Sequence, residues 1–98
     1  MKIVTLCDSM RFQKEMRKIA QKLEIDEGYL VIQCVYFDAD DTISEEARKK
    51  LGEIHYKKIE MSDAIYVVNV NGYIGDATKK EIAYAKSLQK EILSLEPF

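Results

Sequence analysis

No apolar run in this 98-residue chain approaches the roughly 18 residues needed to cross a bilayer, so no membrane-spanning segment is expected. Met1-Lys-Ile-Val-Thr-Leu6 begins directly as a strand, leaving no room for a signal peptide, and a cytoplasmic location follows as the expectation. Blocks of one charge are also missing. Fifteen Lys and Arg are interspersed with seventeen Asp and Glu for a net charge of −2, which implies neither nucleic-acid nor membrane-surface electrostatics. Cysteine is scarce: Cys7 and Cys34 end predicted strands without metal-ligand spacing, so a reduced thiol pair is expected and no metal is assigned. Repeats, low-complexity tracts and interior linkers are absent, and residues 1–98 read as one domain with a modest core.

What is present alternates between two periods. Residues 2–6 form a β-branched strand, and residues 10–24 carry Phe12, Met16, Ile19, Ala20 and Leu23 at helical spacing. Gly28 breaks the chain before a strand at residues 29–35. A capping box, Thr42-Ile-Ser-Glu45, opens a helix to about residue 61. Residues 64–70 are a third strand, residues 77–90 a third helix, and residues 92–95 a last short strand. Continuous apolar strands joined by helices require a parallel sheet covered on both faces. Right-handed crossovers then give a three-layer α/β/α domain, flavodoxin-like or Rossmann-like, with strand order 2-1-3-4. In that order the topology reverses between the first and third strands, and ligands bind outside their carboxyl ends.

The third helix carries an anomaly at the same place. At 100° per residue, Leu88, Ala85 and Ala77 lie within about 40° of Glu81, and Thr78 and Tyr84 within about 60°. Glu81 is thus the one charged residue on the face that should pack on the sheet. Burying an unpaired carboxylate is costly, which points to a partner or a task. One reading is structural: Thr78-Lys-Lys-Glu81 is a capping box that starts the helix. The other is chemical, since a fixed, ionised, partly dry carboxylate is what nucleophilic catalysis needs. The two are compatible, because a first-turn carboxylate is favoured by the helix dipole.

The remaining crevice groups suit a sugar or a phosphate. Ser9 and Arg11 start the first helix, where free N–H groups and a guanidinium fit phosphate or hydroxyls; each is equally an ordinary N-cap or a solvated residue. Gly72 and Gly75 permit close backbone approach, and Thr78 adds a hydroxyl. These glycines form neither a Walker A loop nor a dinucleotide fingerprint. Tyr36, Phe37 and Tyr73 flank strand ends and are candidates for contact with a base, or for packing. The acidic loop Asp38-Ala-Asp-Asp41 lacks the glycine and distal glutamate of a calcium loop.

Leu6-Cys-Asp-Ser-Met-Arg-Phe12, Ser62-Asp-Ala-Ile-Tyr-Val-Val68 and Gly75-Asp-Ala-Thr-Lys-Lys-Glu-Ile-Ala-Tyr-Ala85 together resemble the nucleoside 2-deoxyribosyltransferase family and its nucleotide N-glycosidase relatives. The resemblance spans nearly the whole chain. It implies that Glu81 is the nucleophile, that Ser9, Met10 and Arg11 line the sugar or 5′-phosphate site, and that Gly75 and Thr78 help hold that phosphate. It implies no cofactor, a nucleoside or nucleotide substrate, and a homo-oligomer, most simply a dimer.

Three features depart from the family pattern. Asp8 stands where glycine is usual, and an acid there would repel phosphate. His55 occupies the position of an Asp that helps position or protonate substrate; a histidine there can be an acid or phosphate ligand, or a helix-surface residue between Leu51 and Ile59. The chain ends at Phe98, where relatives often extend into a neighbouring subunit's site. The expected activity is cleavage or transfer of an N-glycosidic bond through a covalent intermediate. The alternatives are a catalytically silent nucleotide-binding module, or a phosphoribohydrolase-like enzyme whose double-glycine loop is missing. For a dimer, the expected surface is Leu51, Ile54 and Tyr56 on the second helix, with Tyr36 and Phe37.

Overall fold

A computed structural model describes residues 1–38 and 40–98; Ala39, within the acidic loop, lies outside them. Four strands, β1 (Ile3–Cys7), β2 (Leu30–Ile32), β3 (Ala64–Val67) and β4 (Glu91–Ser94), pair in the order β2-β1-β3-β4. All three pairings are parallel, with Val4 beside Val31 and Ala64, and Ala64 beside Glu91. Three helices connect them: α1 (Gln13–Glu27), α2 (Glu45–Glu60) and α3 (Asp76–Ser87). The three-layer α/β arrangement and strand order expected from the sequence are therefore those of the protein. Among the described residues no helix is long and apolar enough to cross a membrane.

Alternation along β1 separates two cores. Leu6 packs with Val31 and Val68 beneath Met16, Ala20 and Leu23 of α1. Thr5 and Cys7 point the other way, where Ile65 and Val67 meet Ile59 of α2 and Ile82 and Ala85 of α3. Buried Thr5 shares a 2.5 Å hydrogen bond with Ser62, whose hydroxyl also donates to the Lys58 carbonyl, tying the end of α2 to the sheet. Tyr84 of α3 meets Tyr56 edge-on at 4.9 Å and donates to the Glu60 carboxylate, which fixes the spacing of α2 and α3.

Several element ends differ from the sequence reading. A 3₁₀ turn, Met10–Phe12, precedes α1, and Ser9 caps that turn rather than the helix. Gly28, at φ 71°, closes α1 in the left-handed region that favours glycine. Ser44, not Thr42, caps α2, its hydroxyl accepting from the Ala47 N–H. Strand β2 stops at Ile32 because its ladder with β1 ends there, and residues 33–38 turn away to wall a cavity. Helix α3 starts at Asp76 with Gly75 as its N-cap, so Thr78 is the third helical residue and cannot form the capping box with Glu81. Glu81 accordingly sits in the second turn, and the dipole argument for it weakens. The Tyr56 ring is engaged inside the fold, so of the proposed dimer stripe on α2 only Ile54 is substantially exposed.

Candidate active site

The carboxyl end of β1 faces a cavity of about 240 Å³ walled by α2, α3 and the segment after β2. Asp8, Met10, Cys34, His55, Lys58 and Glu81 line it, together with Phe37, Arg48 and Leu51. A second depression of about 400 Å³ adjoins it, sharing Met10, Phe37 and Arg48. The crevice thus opens at the carboxyl end of β1, one of the two strands between which the parallel topology reverses.

Glu81 reaches this cavity because the buried stripe of α3 runs through Thr78, Ile82 and Ala85. Ala77 and Leu88 are exposed, so the stripe is rotated from the sequence estimate and Glu81 lies on its border. Its side chain retains 17% exposure, and Oε1 lies 3.3 Å from Nε2 of His55. His55 is 9% exposed, which removes the reading of it as a helix-surface residue. Leu51, His55 and Ile59 recur every fourth residue, the spacing of an inward-facing stripe.

Two thiols complete the cluster. Cys7 Sγ lies 3.4 Å from His55 Nε2, and Cys34 Sγ lies 3.9 Å from Nδ1, so the free cysteines flank the ring on its two nitrogens. Burial pushes the Cys7 thiol up to about 12, which keeps it neutral. Burial also works against a charged His55, but the contacts with Cys34, Cys7 and Glu81 outweigh it and raise the imidazole above its ordinary value. One sulfur, one nitrogen and one carboxylate oxygen, from Cys7, His55 and Glu81, lie within 4.8 Å of one another. The sequence reading assigned no metal, because donors 48 and 26 residues apart have no local spacing to detect.

Asp8 is the residue whose setting is least satisfied. Its Oδ1 accepts from the Ser9 N–H at 2.6 Å, while buried Oδ2 has no partner among the described residues. Burial, reinforced by the nearby Glu15 and Glu81 charges, raises Asp8 to about 6 against the Ser9 hydrogen bond and Arg11. The folded protein therefore holds this proton more tightly than the unfolded chain. Stability falls as pH rises from the ordinary carboxyl value of 3.8 to about 6, and stays lowered above that window. Asp8→Asn keeps the Ser9 acceptor and removes the charge. In chelator-treated protein, the variant should melt close to wild type at about pH 4 and above it at about pH 7.5. An equal difference at both pH values would show that the Asp8 charge is not the cause.

The other sequence candidates do not line the cavity. The Arg11 guanidinium lies over the Tyr73 ring at 4.5 Å, and Tyr73 meets Phe12 edge-on, joining the loops after β1 and β3. Ser9 Oγ accepts from the Arg11 N–H at 3.4 Å, a long contact. Thr78 is buried. Gly72, at φ 78°, needs glycine; Gly75 has φ −74°, and a Cβ there would make only ordinary contact with Tyr73. Tyr36 is turned away toward Gln33 and Arg17. Of the site candidates named from the sequence, the fold thus gathers Met10, Phe37, His55 and Glu81 on the wall, and it adds Asp8, Cys34, Arg48 and Lys58, with Cys7 buried against His55. No protein-family model matches this chain, and no curated protein matches it either, so the functional reading rests on this geometry.

Proposed function

We propose that this protein cleaves or transfers the N-glycosidic bond of a (deoxy)nucleoside or nucleoside 5′-monophosphate, with Glu81 as the nucleophile. The observation that carries the reading is a largely buried carboxylate held by a histidine on the wall of the cavity at the carboxyl end of β1. Glu81 attacks the anomeric carbon while the bond to the base breaks and its electron pair leaves with the base. Asp8, raised to about 6 on the same wall, supplies the proton for that leaving group. Water or a second base then takes the sugar from the opposite face, with net retention. His55 is a positioning residue that fixes the Glu81 rotamer. The chemistry requires no cofactor.

Arg48 is the cation best placed for a 5′-phosphate, since it lines both adjoining hollows, whereas Arg11 is stacked on Tyr73. Arg48→Ala should weaken 5′-monophosphate binding by about tenfold, the value of one charge-assisted hydrogen bond, and barely alter nucleoside binding. Equal losses for both ligands would place the phosphate elsewhere.

The whole reading is tested by incubating the protein with a panel of nucleosides and 5′-monophosphates and following released base by chromatography. Time-dependent release from at least one is the expected result. Ligand-induced thermal stabilisation without release from any would favour a silent nucleotide-binding module, a reading that the engagement of Glu81 by His55 also accommodates.

A further inference from the structure

We infer that Cys7, His55 and Glu81 form a three-ligand Zn²⁺ site whose fourth position faces the cavity. In a tetrahedral zinc site, bonds of about 2.3 Å to sulfur and 2.0–2.2 Å to nitrogen and oxygen place neighbouring ligand atoms roughly 3.4–3.6 Å apart. Cys7 Sγ stands 3.4 Å from His55 Nε2, and Glu81 Oε1 stands 3.3 Å from the same nitrogen. All three donors lie within 4.8 Å of one another. Two edges of the coordination polyhedron are thus already close to those that the ion requires, and the third, from Cys7 to Glu81, lies within 4.8 Å. A sulfur, an imidazole nitrogen and one carboxylate form a borderline-soft set that suits zinc and disfavours magnesium and calcium.

The surroundings fit this use of Nε2. Ligation there leaves the ring proton on Nδ1, where Cys34 Sγ waits at 3.9 Å and is itself 3.6 Å from the Leu6 carbonyl. A ligating histidine held through its other nitrogen is the usual outer-shell arrangement. The donors come from three packed elements, β1, α2 and α3, and the contacts of Tyr84 with Tyr56 and Glu60 lock the two helices together. His55 and Glu81 line the cavity, so a water or a ligand entering it can complete the coordination. Cys7 enters as thiolate and His55 as neutral imidazole, so the thiol proton and the Nε2 proton both pass to solvent when the ion binds.

This inference does not rest on the glycosyl-transfer reading and competes with it for Glu81, because a carboxylate engaged on Zn²⁺ is not a free nucleophile; the two are tested by different signals. Tag-free protein stripped with chelator is titrated with Zn²⁺ by calorimetry and with Co²⁺ by absorption. One ion per chain and a near-ultraviolet thiolate-to-cobalt band are expected. Cys7→Ser should abolish that band and weaken Zn²⁺ binding by about 100-fold; Glu81→Gln, at a more exposed position, should weaken it by about tenfold. Millimolar Mg²⁺ should not compete. Failure to bind one Zn²⁺ per chain at micromolar concentration, or wild-type affinity in both variants, would overturn the site.

Discussion

Glu81→Gln is expected to leave the protein folded and to reduce base release by about a thousandfold or more, because an amide cannot form the covalent sugar intermediate. The side chain sits on the border of the buried stripe, and glutamine can still accept from His55 Nε2 at the observed distance. Thermal melting and far-ultraviolet circular dichroism should therefore remain near wild type. A capping role would give the opposite pattern, a stability loss of about 1 kcal/mol with turnover retained. The start of α3 at Asp76 already disfavours that pattern. Turnover within tenfold of wild type in folded Glu81→Gln would remove Glu81 as the nucleophile. His55→Gln separates orientation from chemistry: it should lower turnover less than Glu81→Gln, because a positioning group has been replaced and the nucleophile kept.

The architecture was legible because local and global signals agree. Strand-length apolar runs alternating with helical periodicity leave few topologies, and right-handed crossovers select the observed order. The ends of elements were less legible, since tertiary pairing decides them. Residues 33–35 continue the run in sequence, but the chain leaves the ladder after the pair of Thr5 with Ile32, although β1 itself continues to Cys7. Thr78 has the right spacing from Glu81 for a capping box, yet its hydroxyl is buried in the third position of α3.

At the site, the helical wheel singled out Glu81 but centred the buried face too close to it, passing over Ile82. His55 carried a readable signal, its four-residue spacing from both Leu51 and Ile59. Cys7 and Cys34 carried none, because their meeting across His55 depends on how three elements stack on the sheet. The isolation of Asp8 Oδ2 is likewise a property of packing, invisible along the chain.

The largest stability effect expected outside the core is at Asn69, in the loop that carries Tyr73 toward α3. Asn69 is fully buried, and its amide donates to the Glu96 carbonyl and accepts from the Glu96 N–H, both at 2.8 Å. This side chain therefore performs the pairing that backbone would perform one residue further along β3 and β4, and it ties the chain end to the loop between β3 and α3. Asn69→Ala loses two hydrogen bonds of about 1 kcal/mol each, so a loss of about 2 kcal/mol is expected, or a fall in Tm of about 10 °C. Glu96→Ala is the informative partner variant. It deletes only the exposed carboxylate contact to the Gly72 N–H and retains the backbone groups that hold Asn69, so its change should stay within about 0.5 kcal/mol. Melting of Asn69→Ala at the wild-type temperature, or an equal loss in Glu96→Ala, would show that the Asn69 amide is not what fastens this end of the sheet.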